Sequence, residues 1–282
     1  MKFQRCSIPP AILFLAASLL FIVLFSMLAP VLFPIDLGQT NLLNRLLPPS
    51  FMPGGQPQFL LGTDHLGRDF AIRLVYATRN TLLISFSGML IASLIGTTLG
   101  VIGGLYRGWA DTMVMFLIDA RLSVPFIVIA IVCSSIFGSD KVMMVLIIGF
   151  AGWASFARLI RGQIIQLREA NFIECSRAIG ASRLRILFEH ILRNISSPLI
   201  VHATMRLSSF ILLESTLSFL GLGILPPDAS LGVMVSAGRD YMISAWWLTM
   251  IPSAVIVVIV LQVSLIGDWL RDRLDPKLRN NT

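Results

Sequence analysis

The chain has 282 residues, 56% of them hydrophobic and 13% charged, with a formal net charge of +7 and a mean hydropathy of +0.83. Such a composition excludes an ordinary soluble domain and a disordered chain, neither of which tolerates long uncharged runs. Its basic residues sit between apolar runs rather than in one solvated arm, which excludes a nucleic-acid-binding stripe and makes the charge a report of membrane topology.

Lys2 and Arg5 precede an uncharged run from Cys6 to Ile35, about twice the typical ~7–15-residue core of a signal peptide and without a clear cleavage site. A retained transmembrane helix over 8–33 is therefore expected, forming the N-terminal unit 1–33. The connection 34–78 carries Pro48, Pro49, Pro53, Gly54, Gly55 and Pro57, which rule out one continuous helix. Inside it "LGTDHLGRD" places Asp64 and Arg68, then Asp69 and Arg73, at i,i+4 spacing, which predicts a short surface helix. His65 lies between the two acids, but no second His joins it and no metal site is expected.

A second, larger unit follows over 79–270. Further spans of about 20 residues, the length a ~30 Å bilayer core demands, are expected at 81–105, 122–137, 142–157, 199–222 and 246–267. The third and fourth are short and joined by a tight hairpin at Gly138 to Lys141; the amphipathic stretch 111–121 is available to extend the third. In the second span Gly88, Ala92, Gly96, Gly100 and Gly104 recur at every fourth position, which lets another helix approach closely. The fifth holds Glu214 near mid-span with Ser218 a turn later. Arg206 lies eight residues before Glu214, about 12 Å along a helix and too far for a direct pair. A charge at mid-bilayer costs about 2.5–3.5 kcal/mol, so each must face protein or water, lining a translocation path or meeting another subunit. Gly221, Gly223, Pro226 and Pro227 then end the helix, and the loop 223–245 runs to Trp246 and Trp247, an expected aromatic anchor at the interface. The chain closes on a basic tail, 271–282.

The six expected crossings return both termini to one side. That side collects Lys2, Arg5, Arg107, the arginines of 158–193 and the basic tail, whereas Arg45, Arg68, Arg73, Arg79, Lys141 and Arg239 fall on the other. The positive-inside rule makes the termini cytoplasmic. It also places the loop 161–198 in the cytoplasm. This strip is unlike its surroundings in being rich in Glu, Arg and His, and it reads as two helices with a corner. The first, over 168–179, carries Phe172, Cys175 and Ile179 on one face; Gly180 frees the corner and Ser182 caps a second helix that places Leu184, Leu187, Phe188 and Ile191 at helical spacing. Spacing by itself suits either docking into a groove of a partner protein or lying on lipid headgroups. Cys6, Cys133 and Cys175 have no paired spacing and read as small packing residues.

"ECSRAIGASRLRILFEHILRN" resembles the cytoplasmic EAA loop of membrane permeases of bacterial ABC importers. Glu174, Gly180 and Ile191-Leu192 fit its pattern, while Cys175 and Ser176 replace the usual two alanines. "LGTDHLGRD", "ARLIRGQ", "LSFLGLGILPPDASLG", "GRDYMISAWW" and "GDWLRDRLDPKLR" extend the likeness to the dipeptide, oligopeptide and nickel permease branch over nearly the whole chain. Arg193 stands where that branch commonly has Pro, and Leu231 where it has Trp. The resemblance implies an all-α polytopic type I importer permease in a bacterial inner membrane, surrounded by lipid. It implies pairing with a second permease subunit, coupling to one or two cytoplasmic ABC ATPases, and cargo delivered by an external solute-binding protein. It places ATPase coupling on the loop, with Phe172, Glu174, Cys175, Ala178, Gly180, Ala181, Ser182, Leu184 and Leu187 as its contact residues, and marks Asp64, Arg68 and Asp69 as the external motif. The implied cargo is a di- or oligopeptide, with nickel, a metal chelate or glutathione as the alternative.

No G-x-x-x-x-G-K-[ST] loop occurs, so ATP and Mg are expected on the partner subunits, with no cofactor and no enzyme activity in this chain. An ion-coupled secondary transporter would call for midplane carboxylate clusters and internal repeats, and only Glu214 is evident. An intramembrane hydrolase would call for a placed nucleophile and base, and His202 with Ser208 or Ser209 offers only proximity along the chain.

Overall fold

The computed structural model describes residues 9–32, 34, 38–182 and 185–274, apart from the side chains of residues 29, 32 and 177. Leu184 and the tail 275–282 lie outside that description. Among the described residues the fold is helical, with a lone antiparallel bridge between Thr63 and Asp69. The helices of eight residues or more are α1 (Pro10–Met27), α2 (Phe70–Leu105), α3 (Trp109–Ser123), α4 (Phe126–Phe137), α5 (Lys141–Arg168) and α6 (Asn171–Ala178), then α7 (Leu192–Phe219), α8 (Leu231–Gly238) and α9 (Trp247–Leu274).

Among the described residues five helical stretches are long and apolar enough to cross a membrane, and a sixth is reached if α3 and α4, which meet at 85°, count as one broken span. The third crossing expected at 122–137 is thus divided. Pro125 holds the preceding Val124 extended, at φ −96 and ψ 125, because its ring disfavours the helical conformation one residue back. α4 has 12 residues, about 18 Å of helix, well short of a ~30 Å hydrocarbon core. Two other spans run longer than their strictly apolar stretches: α2 starts at Phe70 rather than near 81, and α5 continues to Arg168, whereas α1 stops at Met27, short of the expected end at 33. α1 is apolar on every face, and only 6% of its span is covered, as expected of a helix whose surroundings are lipid or another subunit.

The chain divides into two compact units. The first comprises 1–84, 139–141 and 211–269. In it Gln262 Nε2 donates to Ser18 Oγ at 3.0 Å, joining α9 to α1. Asn80 Nδ2 donates to the Ala229 carbonyl at 2.7 Å, and Lys141 pairs with Asp228 at 3.0 Å. α8 rests directly on α7: a Cβ at Gly232 would stand 2.2 Å from the Ser215 carbonyl oxygen. Trp247 packs inside at 4% exposure while Trp246 is 42% exposed. The paired interfacial anchor is therefore corrected to Trp246, because α9 begins at Trp247 and turns that ring inward.

The second unit comprises 85–138, 142–210 and 270–282. Here the small-residue stripe of α2 meets α5. Cβ atoms on Gly88, Gly96, Gly100 and Gly104 would collide with Ile148, with the Trp153 carbonyl and Phe156, with the Ala157 carbonyl and Ile160, and with Ile164. Backbones approach this closely only where side chains are missing. Arg161 chelates Asp111, with Nη2 to Oδ2 at 2.8 Å, and Arg158 pairs with Asp119 at 3.3 Å. Arg121 donates to the Phe150 and Ala151 carbonyls at 3.3 and 2.6 Å. Arg168 Nη1 donates to the carbonyls of Gly104 and Leu105 at 2.9 and 2.7 Å, a cation at the negative end of α2.

Candidate functional site

The strip after α5 is an elbow anchored on one side and bare on the other. Beyond a break at Glu169 and Ala170, α6 makes two turns. Its buried residue is Ile173, at 0% exposure, which joins Ile160 and Ile164 of α5 and Ile186, Ile191 and Ile195 in one apolar cluster. Ala181 and Leu187 pack against that cluster. The face read from the sequence points the other way. Phe172, Ile179 and Phe188 are 44%, 86% and 65% exposed, and Glu174, Cys175 and Ala178 are exposed with them. α6 is too short to bury both faces, so a single isoleucine fixes it and an apolar ridge remains outward.

Gly180 forms the corner at φ +85, with nothing within 4 Å of a Cβ placed there. Its need for glycine is thus conformational and not steric. The Ala181 N–H closes the turn on the Ser176 carbonyl at 3.0 Å, as in a Schellman ending. Ser182 caps the next turn, its Oγ accepting from the Arg185 N–H at 3.3 Å. Ser176 Oγ lies 3.2 Å from His190 Nε2, whose ring stands edge-on to Phe172, with centroids 6.1 Å apart. Arg185 Nε reaches Glu189 at 2.9 Å.

Two expectations for this strip are corrected. The second segment is not a separate helix ending before Pro198. A π turn, Ile186–Ile191, runs directly into α7, and Pro198 lies inside that helix. Nor do Leu187, Phe188 and Ile191 form one face; Leu184, the other residue of that set, lies outside the described residues. The extra residue of the π turn shifts the phase, so Ile186 and Ile191 turn inward while Phe188 turns out.

Glu214 occupies the centre of the first unit at 0% exposure. Ser218 Oγ donates to its Oε1 at 2.7 Å and Ser215 Oγ to its Oε2 at 3.4 Å. The hydroxyls of Thr81 on α2 and Ser230 at the start of α8 face the same carboxyl group. Both are held by the backbone of α8. Thr81 Oγ1 accepts from the Leu231 N–H at 3.0 Å, and Ser230 Oγ accepts from the Val233 N–H at 3.5 Å. Glu214 is thus bonded within α7 at the place where α2 and the N-terminus of α8 meet it, and Thr81 ties α2 to α8. Sequence reasoning singled out Glu214 and Ser218 but missed Thr81 and Ser230. The only available signal was Ser230, a cap-type residue directly before the apolar run "LGVMV". Arg206 lies in the other unit, half-buried, and its Nε has no hydrogen-bond partner among the described residues; nor does Nε2 of His202, which stands edge-on to Phe156 at 4.9 Å.

The "LGTDHLGRD" motif is a turn and not the expected short helix. Gly62 and Gly67 take φ +79 and +74, and Asp64 Oδ1 accepts the Leu66 and Arg68 N–H groups at 2.8 and 3.0 Å. An aspartate closing its own turn competes with helix formation. Arg68 does pair with Asp64, at 2.7 Å. Arg73 turns to Asp64 as well, at 3.5 Å, because Asp69 caps α2 by accepting the Ile72 N–H at 3.1 Å. His65 stacks on Tyr241 at 5.8 Å, and burial there holds its pKa below the ordinary 6.5 despite the nearby Asp64.

Membrane-length helices with an anchored, outward-facing amphipathic elbow define a polytopic membrane protein. Residues 96–280 match the family described as binding-protein-dependent transport system inner membrane component, and the chain belongs to that family. It is 41% identical over 261 residues to a dipeptide transport system permease protein, DppC, of Haemophilus influenzae, covering 93% of this chain and 88% of that one. It is 40% identical over 220 residues to a glutathione transport system permease protein, GsiD, of Pectobacterium atrosepticum, covering 78% and 73%. Among solved structures the MetNI methionine ABC transporter, in an inward-facing form, matches with a TM-score of 0.58 at 20% identity, covering 72% of this chain and 96% of that one. That last likeness concerns the fold.

Proposed function

We propose that this chain carries di- or oligopeptides inward across a bacterial inner membrane, paired with a second permease and driven by cytoplasmic ABC ATPases that grip the elbow. An external solute-binding protein hands over the cargo, ATP and Mg stay on the ATPases, and both termini face the cytoplasm. The observation that carries this reading is the elbow itself. Phe172, Ile179 and Phe188 stand out from a helix that Ile173 locks to α5, so a push on the ridge is delivered to a membrane-length helix instead of being lost in a loose loop. Exposed apolar residues on a rigid helix suit a protein groove. The likeness to a dipeptide permease over 93% of the chain supports peptide cargo. In this reading Glu214 fixes the seat of α8, and Arg206, whose Nε has no partner among the described residues, faces the path or the second permease.

A second cargo, glutathione, is favoured by the 40% identity to a glutathione permease. Both are peptides with free carboxylates, and uptake separates them. Proteoliposomes holding the full complex, supplied with the binding protein and internal ATP, should accumulate labelled dipeptide. Accumulation of glutathione alone would select the second cargo. Accumulation driven by an ion gradient with no ATPase present would overturn the reading.

A further inference from the structure

Three stretches of the first unit meet on one ring, that of Tyr241 in the loop between α8 and α9. His65, from the turn before α2, stacks on it with centroids 5.8 Å apart and planes 13° from parallel. Arg45, from an earlier turn of the same segment, donates from Nη2 to the Tyr241 hydroxyl at 3.1 Å and holds its Cζ 5.8 Å from the ring centroid. Two side chains thus clasp the loop to the segment before α2.

His65 is the member of this clasp that changes charge near neutral pH. Its side chain is half-buried, so solvent protons reach it. Asp64 is the one carboxylate facing it, and Asp64 already pairs with Arg68 at 2.7 Å and Arg73 at 3.5 Å. With Arg45, three guanidinium groups face His65 against that single acid. α8 and α9 bring no charge, since Met234, Ala237, Gly238 and Leu248 line the space beside the ring. Arg239 and Asp240, next to Tyr241, pair with each other at 3.4 Å. An imidazolium would gain from lying over Tyr241, but Arg45 already draws on that ring. A proton on His65 therefore adds a fourth cation to a cluster with one acid. Burial first, and then the guanidinium groups, hold its pKa below the ordinary 6.5 against the pull of Asp64.

We propose that His65 and Tyr241 form an acid-released clasp, closed while the imidazole is neutral and opened by its protonation. Away from the ring His65 regains its ordinary pKa, so the open form takes up the proton more readily and acid shifts the population toward it. One proton sets the limit: the ratio of open to closed rises by at most about tenfold for each pH unit below 6.5. In the orientation proposed above the clasp meets the medium, but its chemistry depends on neither the cargo nor the ATPase.

The test is a pulsed electron paramagnetic resonance distance measurement on the intact transporter complex in lipid nanodiscs, on a background without other cysteines. Spin labels are placed at Leu43→Cys and Ile243→Cys, exposed positions beside Arg45 and Tyr241. The labelled wild type and two variants are compared at about pH 7.5 and about pH 5.5, on either side of the ordinary histidine value. His65→Phe keeps a ring for the stack and cannot titrate, and Tyr241→Leu removes the shared ring to give the open reference. The clasp predicts one narrow distance at the higher pH, joined at the lower by the broader population of Tyr241→Leu, with no acid change in His65→Phe. An unchanged wild-type distribution in acid, the same acid change in His65→Phe, or a Tyr241→Leu distribution identical to the closed form would overturn the proposal.

Discussion

Replacing Glu214 by leucine tests whether one carboxylate seats α8. Two hydroxyls, on Ser215 and Ser218, lose their acceptor, and those of Thr81 and Ser230 lose a polar neighbour. Ser215 and Ser218 sit on α7 and can turn to the carbonyls of their own helix. Thr81 and Ser230 still accept from the N–H groups of Leu231 and Val233, but with an apolar side chain in place of the carboxyl group their O–H groups lose polar surroundings at about 1–3 kcal/mol each, offset by about 2 kcal/mol from burying the leucine. The net loss of about 2 kcal/mol falls on the hold over α8, equivalent to about 30-fold in its opening equilibrium. Hydrogen–deuterium exchange of the complex in nanodiscs should therefore show the amides of Leu231–Gly238 exchanging about 30-fold faster. Glu214→Gln should leave the rate nearly unchanged, because its amide oxygen still accepts a hydrogen bond in the same place. Exchange at the wild-type rate in the leucine variant would refute the reasoning.

Gly96→Leu would drive a Cβ to 2.4 Å from the Trp153 carbonyl and 2.5 Å from Phe156; a loss of about 2–3 kcal/mol should lower the thermal midpoint in detergent. Gly162→Ala, with open space around it, should leave that midpoint unchanged or raised. Gly180→Val places a β-branched residue at φ +85, costing at least about 1–2 kcal/mol at the corner; membrane insertion should be normal while peptide uptake per ATP hydrolysed falls, as measured in proteoliposomes. His65 is held below its ordinary pKa of 6.5 by burial, so the unfolded chain takes up the proton first. The contribution of His65 to stability is complete above pH 6.5 and declines as pH falls below it. A thermal-midpoint profile that flattens in His65→Phe would bear this out, and an identical acid limb in both proteins would contradict it.

Most of the spans were legible in the sequence because apolar length is a direct physical demand of the bilayer. Their ends were not, since α2 and α5 extend through polar turns such as Arg73 and Arg161 once neighbouring groups pair with them. The "LGTDHLGRD" motif misled because i,i+4 spacing is equally satisfied by an aspartate closing a turn; only Gly62 and Gly67 hinted at positive φ. The elbow was legible as a polar insertion with a glycine corner. Its inward face was not, because a two-turn helix turns inward whichever residue finds a pocket, and that residue is Ile173. The π turn at Ile186–Ile191 has no signature in propensity or period, and it parts Phe188, which turns out, from Leu187 and Ile191, which pack inward. Glu214 was visible as an anomaly of charge in an apolar run, whereas Thr81 became its partner only through contact across 133 positions of sequence, 214 − 81.

The central claim is that the elbow is the grip of a cytoplasmic motor, and Cys175 offers a direct way to measure it. The thiol is exposed on α6. With Cys6 and Cys133 replaced by serine, it can carry a photoreactive cross-linker in the assembled transporter within inverted membrane vesicles. The account predicts a covalent adduct with the ATPase subunit whose yield changes when ATP is added. Labelling of Cys175 in intact cells by a membrane-impermeant thiol reagent, or an adduct confined to lipid, would contradict it.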